Sequence, residues 1–408
     1  MRSGSAAYEN NPYLVCTKRF FIRFPTASVC CYPTGACILL AVPALSMTPI
    51  QIDVSTASRT YAVHVGEGLI AKLHALLDMA GGTDRRFLVS SPLVWKLHGQ
   101  AIQDSLQQDA EIILAPDGER SKTLQTVSRI YEALIRAAAD RSATIVAVGG
   151  GVIGDVVGFA AATYLRGVRL AHVPTTLLAQ VDSAIGGKVG VNHQLGKNLI
   201  GAFHQPIIVV ADPQLLGTLP RREFRSGLYE VVKYGVIASR GLFDRVSRDL
   251  TAIFAREVDA LVPIIAESCR IKARVVSADE RESGLRRTLN FGHTAGHAIE
   301  AVTRYRRFRH GEAIAYGMLA AAGIAVTRKM LSTDDRKSLA SLIAQLGPLP
   351  SVSDLSVKPV IEAIRRDKKV LKGRLHFVLP TAIGQTEIVD DVTEKEIRRS
   401  LLAIGLRR

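Results

Sequence analysis

The chain's 408 residues, 48% of them apolar, suffice for two or three domains with buried cores, which excludes a disordered or fibrous protein. Its net charge of +15 comes from scattered lysines and arginines with no basic run interleaved with aromatics. That argues against a nucleic-acid partner and suits a small anionic ligand, or no charged partner at all, at least as well. Of the five cysteines, Cys16, Cys30, Cys31 and Cys37 fall in the first 37 residues and only Cys269 in the body, so the body carries no disulfide framework or zinc-finger spacing and reads as reduced and cytoplasmic.

In chain order, residues 1–46 form a leader whose one acidic residue, Glu9, faces Arg2, Lys18, Arg19 and Arg23. Its apolar run ACILLAVPAL is too short to span a bilayer, so no membrane association is expected. The leader is either a targeting segment or the product of a start assigned too far upstream. The second is preferred, because Met47 opens MTPIQIDV, the first strand-like pattern. From 48 to 220, short β-branched runs alternate with helical stretches: RRFLVSS, EIILAPDGE, ATIVAVGGG, VRLAHVPTT and PIIVVAD. That alternation predicts a parallel α/β sheet. From 221 to 408 the pattern is helical, with LHFVLP its one strand-like run. A boundary is therefore expected near Pro220, with the site in the cleft between the halves.

TIVAVGGGVIGD places Gly149, Gly151 and Gly154 in G-x-G-x-x-G register after a strand, where the backbone can approach a pyrophosphate at a helix N-terminus. The acidic residue that usually follows about 20 positions on is absent, and a tight packing turn would also want glycines. PDGERSK is a turn at a strand end carrying Glu119 and Lys122. DSAIGGKVGVNHQLGKN gathers Asp182, Lys188, Lys197 and Asn198 around glycine breaks, as either a solvated loop or a mobile phosphate grip. In NFGHTAGHAIE, helical spacing would put Asn290, His293, His297 and Glu300 on one stripe opposite Phe291, Ala295, Ala298 and Ile299. The two histidines could share a metal, but HTAGH lacks the glutamate of the H-E-x-x-H peptidase motif. Glu230, followed one turn on by Lys233, and His310 are further candidate ligands. A catalytic zinc needs three protein ligands and an open position, and spacing does not choose among these residues.

PDGERSK, GGGVIGD, HVPTTLLAQVDSAIGGKVGVN, GKNLIGAFHQP, ESGLRRTLNFGHTAGHAIE and HGEAIAYGM, in this order over residues 48 to 390, resemble the 3-dehydroquinate synthase family of sugar-phosphate cyclases. The resemblance implies an α/β fold: a Rossmann-like NAD-binding α/β domain (48–220) followed by an all-α metal- and substrate-binding domain (221–408), in a homodimer. It implies Glu230, His293 and His310 as ligands of one zinc, with cobalt or another divalent metal able to substitute, and His297 as a substrate contact near the phosphate leaving group. Asp182, Lys188, Lys197, Asn198, Lys233, Lys272, Arg286 and Asn290 would line the substrate pocket, joined by Arg166 from its loop. NAD would touch Asp117, Gly118, Glu119, Arg120, Ser121, Lys122, Gly151, Val152, Ile153, Gly154, Asp155, Thr175, Thr176, Lys188, Lys197, Leu215, Leu216, Gly217 and Thr218. Ser91 departs from the pattern, standing where many members carry an acidic or amide group for a ribose hydroxyl.

The implied reaction converts 3-deoxy-D-arabino-heptulosonate 7-phosphate to 3-dehydroquinate and phosphate, a step of aromatic amino acid biosynthesis. A transient oxidation by NAD makes the proton beside the new ketone acidic enough for elimination, after which the hydride returns. The metal acts as a Lewis acid. The leaving phosphate needs a positive cradle, which Lys188, Lys197 and His297 can supply, while Arg286, Lys272 and Asn290 suit the substrate carboxylate. The competing readings are a sister cyclase acting on a substrate without that carboxylate, a polyol dehydrogenase that accumulates NADH, and a non-catalytic NAD-binding regulator. Whether Lys368 or Lys369 reaches the site is left open.

Overall fold

The computed structural model describes residues 48–106, 110–370 and 375–408, with side chains omitted at 367–370, and three short strands before them. Those strands, β1 (Arg23–Phe24), β2 (Ala27–Cys31) and β3 (Cys37–Leu40), pair antiparallel within a unit of their own. The rest of the leader and the side chains of Lys368 and Lys369 lie outside the described residues. Thr48–Arg408 is a second compact unit.

Its centre is a seven-stranded sheet in the order β4-β5-β12-β9-β8-β6-β7. The members are β4 (Ile50–Ser55), β5 (Thr60–Val65), β6 (Arg86–Ser90), β7 (Ala110–Leu114), β8 (Thr144–Gly149), β9 (Arg169–Pro174) and β12 (Ile208–Ala211). All neighbours are parallel except β4, which forms an antiparallel hairpin with β5. Helices α1 (Leu73–Met79), α2 (Pro92–Ser105), α3 (Leu124–Arg136) and α4 (Gly151–Thr163) cover the sheet. Central strands buried on both faces read as continuous apolar runs because each face needs its own layer. In β8, Ile145 and Ala147 pack with Ile130 of α3 and Val157 of α4, while Val146 and Val148 pack with Leu73 of α1 and Ile102 of α2.

The segment expected to be a mobile loop is instead a turn of π-helix, Ala179–Ser183, followed by a hairpin of β10 (Lys188–His193) and β11 (Gly196–Phe203). Its glycines suggested a loop, yet they permit close packing. A β-carbon on Gly190 would run into the Ile200 carbonyl opposite, and one on Gly158 of α4 would overlap Val189.

After Pro220 the chain is mainly helical: α5 (Arg221–Ala238), α6 (Arg240–Arg248), α7 (Leu250–Ala255), α8 (Val258–Ala278), α9 (His293–Val302), α10 (His310–Thr327), α11 (Thr333–Leu346), α12 (Val357–Val370) and α13 (Glu394–Ala403). A second hairpin, β13 (Phe377–Ala382) with β14 (Gln385–Val389), interrupts it, so one strand was legible in LHFVLP and its partner was not. The stripe expected over 290–300 is also shorter. Gly292 takes φ of 81° and starts α9 at His293, which leaves Asn290 at the end of a separate 3-10 turn, Leu285–Asn290. One core joins Val54 and Tyr61 of the first hairpin to Tyr229 and Val232 of α5 and Ile314 and Met318 of α10.

Candidate active site

Two backbone contacts assemble the histidines. At the start of α10, Gly311 lies so close to α5 that a β-carbon would overlap the Ser226 carbonyl, and its N–H donates to Ser226 Oγ at 3.0 Å. Ser226 is one turn before Glu230, so this contact seats His310 on Glu230. Farther along α10, a β-carbon on Gly317 would overlap the Gly292 carbonyl at the head of α9, and the absence of one seats His293 beside the same helix. Gly317→Ala is therefore expected to cost about 1–3 kcal/mol through overpacking and to weaken metal retention. Urea unfolding and metal content would check this, and an unchanged midpoint would contradict it.

The rings of His293, His297 and His310 lie 5.1, 5.4 and 5.8 Å apart by centroid, and one ligand nitrogen from each falls within 4.8 Å of the others. Glu230 Oε1 is 3.5 Å from His310 Nε2 and 3.9 Å from His293 Nε2, and this fully buried oxygen accepts no hydrogen bond. Donors held by one tetrahedral ion at about 2.1 Å sit about 3.4 Å apart. The spacing therefore fits a divalent cation, and an orphaned buried carboxylate oxygen calls for one. Either Glu230 or the exposed His297 completes a three-ligand set with His293 and His310.

The electrostatics agree. Burial, reinforced by Lys233, holds His293 well below the ordinary histidine range, so its ring is neutral. The Phe291 carbonyl at 3.2 Å suits a proton on Nδ1, leaving the Nε2 lone pair toward Glu230. Burial opposes charge on His310 too, but Glu230 and Glu300 outweigh it and push its pKa up to about 10, a mark of surplus negative charge. Glu300, 3.4 Å from His310 Nδ1, orients that ring from behind. Burial disfavours ionised Glu230, but Lys233, His310 and His293 overcome it and keep the carboxylate charged.

Lys233 pairs with Glu230 at the i,i+3 spacing of α5. The next residue, Tyr234, donates to Asp182 Oδ1 at 2.5 Å, and Lys272 from α8 donates to the same oxygen and to the Asp182 carbonyl, each at 2.6 Å. Burial would raise the Asp182 pKa, yet Lys272 and Lys233 hold it well below the carboxylate range. Arg286 is 3% exposed, and the hydrogen bonds of its guanidinium run to the carbonyls of Gly186, at 2.9 Å, and Glu280. None of the ion pairs among the described residues involves it, and burial lowers its pKa while Glu282 and Asp182, farther off, favour its charge. Lys188 pairs with Glu282, which also accepts from Asn290 Nδ2 at 2.7 Å.

The remaining expected residues gather by the glycine turn. Parallel pairing brings the C-terminal ends of β6, β8 and β9 to one edge. The chain order reverses beside β6 because β7 lies outside it and β8 inside, and open sheets bind ligands at such a switch point. Gly150 caps α4 there, Thr175 N–H donates to the Gly149 carbonyl at 3.0 Å, and a β-carbon on Gly151 would come within 3.0 Å of Ser183 Oγ. Lys122 joins Asp155 to Asn198, so Asn198 lies with the nucleotide-type residues rather than beside Arg286. Burial raises the Asp155 pKa and Lys122 opposes the rise. Lys197 is 3.1 Å from Glu119 Oε1 and lies over the Tyr305 ring at 4.0 Å. Thr218 Oγ1 meets His98 Nε2 at 2.9 Å. Ile153, Leu215 and Leu216 are buried, with their side chains packed in the core. Arg166 is exposed, with φ of 68°. Ser91 caps α2, its Oγ accepting from Val94 N–H at 3.3 Å. Sequence reasoning missed Tyr234 and Glu282. The first stands four residues after Glu230, a spacing that could have found it, and the second carried no local signal.

The model of the 3-dehydroquinate synthase N-terminal region matches residues 112–226 and that of its C-terminal region residues 227–370. Curated 3-dehydroquinate synthases from Gloeobacter violaceus and Pelotomaculum thermopropionicum are each 45% identical to this chain, covering 86% of it and 98% and 96% of their own lengths. Among solved structures, 2-epi-5-epi-valiolone synthase from Streptomyces hygroscopicus subsp. jinggangensis, with NAD+ and Zn2+ bound, is 28% identical with a TM-score of 0.78, over 85% of this chain and 96% of that one. A 2-deoxy-scyllo-inosose synthase complexed with carbaglucose-6-phosphate, NAD+ and Co2+ scores 0.78 at 28% identity, over 86% and 99%. With family models running unbroken from 112 to 370 and relatives at 45% identity over most of its length, the chain belongs to the 3-dehydroquinate synthase family.

Proposed function

We propose that this chain converts 3-deoxy-D-arabino-heptulosonate 7-phosphate to 3-dehydroquinate and phosphate, using NAD and one divalent ion, zinc or cobalt. The observation that carries the reading is Arg286, a buried guanidinium with no ion pair among the described residues, close enough to Lys272 for the two charges to repel. A substrate carboxylate is the anion that such a two-pronged donor suits. Glu230, His293 and His310 hold the ion, and His297 faces the leaving phosphate with Lys188 and Lys197. The nucleotide lies against the turn at Gly151, the strand end at Thr175 and Thr176, and the loops at 117–122 and 215–218. Bound NAD supplies a hydride acceptor restored within the cycle, and the ion supplies a Lewis acid.

The chain's own residues do the rest. Lys233, buried between Glu230 and Asp182, keeps both carboxylates ionised. Asp182 in turn holds the Lys272 ammonium in place, so the positive groups are arranged before the substrate arrives. The division into a nucleotide half, 48–220, and a metal and substrate half, 221–408, belongs to the same reading. So do a cytoplasmic location, which the buried free thiol of Cys269 suits, and a homodimer. The homodimer is supported by Leu195, Leu199 and Phe203, left exposed on the β10–β11 hairpin.

Incubating purified protein with the heptulosonate phosphate, NAD and zinc is expected to release phosphate and dehydroquinate in equal amounts with no net NADH, from a particle sedimenting at twice the chain mass. Accumulating NADH would indicate a dehydrogenase instead, and a monomer would remove the dimer. The second reading, a cyclase for carboxylate-free sugar phosphates, has the two solved relatives in its favour and Arg286 against it. Turnover of such a substrate alone would establish it.

A further inference from the structure

Arg286 is held from two directions. Its backbone is fixed by Asp279, whose carboxylate accepts from Ser283 N–H at 2.8 Å, Gly284 N–H at 2.7 Å and Arg286 N–H at 3.0 Å. Its guanidinium is fixed by the carbonyls of Gly186 and Glu280. Each of those carbonyl-bearing residues is tied to the first hairpin of the sheet, across 125 positions of the chain for Gly186 and 222 for Glu280. Gly186 N–H donates to Tyr61 Oη at 3.0 Å, and the Glu280 carboxylate accepts from Ser58 N–H at 3.3 Å and from Ser58 Oγ. A further bond, Ser55 N–H to Ser277 Oγ at 3.1 Å, moors the hairpin to the end of α8. Gly186 has φ of 99°, and a β-carbon there would lie 2.6 Å from the guanidinium, so the carbonyl contact depends on this residue being glycine. Tyr61 is 3% exposed, and burial holds its hydroxyl well above the usual phenol range, so it stays neutral.

We propose that the β4–β5 hairpin is a positioning element of the site: Tyr61 and Ser58, through the Gly186 and Glu280 carbonyls, hold Arg286 aimed at the substrate carboxylate. The inference rests on the reading of Arg286 given under Proposed function. A guanidinium has five N–H donors on a long flexible side chain. Two anchored carbonyls use some of those donors to fix the plane, leaving the others presented to a ligand. Neither hairpin residue is among those assigned to substrate, nucleotide or metal. Their loss should therefore loosen the carboxylate end of the site alone.

Tyr61→Phe and Ser58→Ala are each expected to raise KM for the heptulosonate phosphate about five-fold, the scale of one hydrogen bond, and the double variant more, with kcat within about twofold of wild type. The NAD dissociation constant, metal content and melting temperature should stay near wild type, and Ser58→Thr should restore KM. Calorimetric binding of dehydroquinate is read alongside. A double variant that matches wild type in KM and dehydroquinate affinity overturns the inference. So does one whose KM, NAD affinity and melting temperature all shift together, because that marks a merely structural role. A wild-type chain that neither binds dehydroquinate nor turns over the phosphate refutes the reading of Arg286 itself, and the inference with it.

Discussion

Glu230→Ala is expected to yield a protein that retains little metal and is less stable by about 3–5 kcal/mol, the range for removing one partner of a buried ion pair. Both members of this pair are out of water: the Glu230 side chain is 0% exposed and that of Lys233 1%. Truncating the carboxylate takes away the contacting partner of the ammonium and leaves it only the more distant charge of Asp182. The same substitution removes the carboxylate oxygen that lies 3.9 Å from His293 Nε2 and 3.5 Å from His310 Nε2. Metal per chain by mass spectrometry and the urea midpoint separate these two consequences. Full metal content with a lowered midpoint would mean that the three histidines hold the ion and that Glu230 serves to balance Lys233. An unchanged midpoint would contradict the account of the pair.

Arg286→Ala is expected to lower kcat/KM for the heptulosonate phosphate by roughly 100-fold or more, since losing charge-assisted contacts to an ion costs about 3 kcal/mol and 1.36 kcal/mol is a factor of ten. Arg286→Lys should restore little of it. A lysine offers a point charge, and cannot reach the Gly186 and Glu280 carbonyls and present a second pair of donors to the ligand at once. NAD affinity should be unchanged, because the hydrogen bonds of the Arg286 guanidinium run to the Gly186 and Glu280 carbonyls and not to the glycine turn before α4. Wild-type turnover in the alanine variant would remove the carboxylate assignment and return the sister-cyclase reading to the front.

Much of the fold was legible because its signals are local. The apolar runs of β6, β8, β9 and β12 are bounded by glycine, proline and polar residues, and a strand buried on both faces leaves that mark in any chain. The hairpin of β10 and β11 was not legible. Its glycines carry the composition of a loop, and only the closeness of α4 and of the facing strand shows that they serve packing. The start of α9 was misplaced by a few residues for a comparable reason: the left-handed conformation of Gly292 is set by its contact with α10.

The motif order sufficed to identify the family, because Glu230, His293, His297 and His310 each sit in a short stretch recognisable by itself. Which groups touch was another matter. That Asn198 joins Lys122 and Asp155, that Glu282 links Lys188 to Asn290, and that Tyr61 supports Arg286 through Gly186 are contacts that reach across as many as 125 residues. Residue type and local periodicity depend on neighbours within a turn or a strand, so they survive in the linear chain. A hydrogen bond between distant segments depends on the packing of whole layers, and those distances exist only once the core has closed.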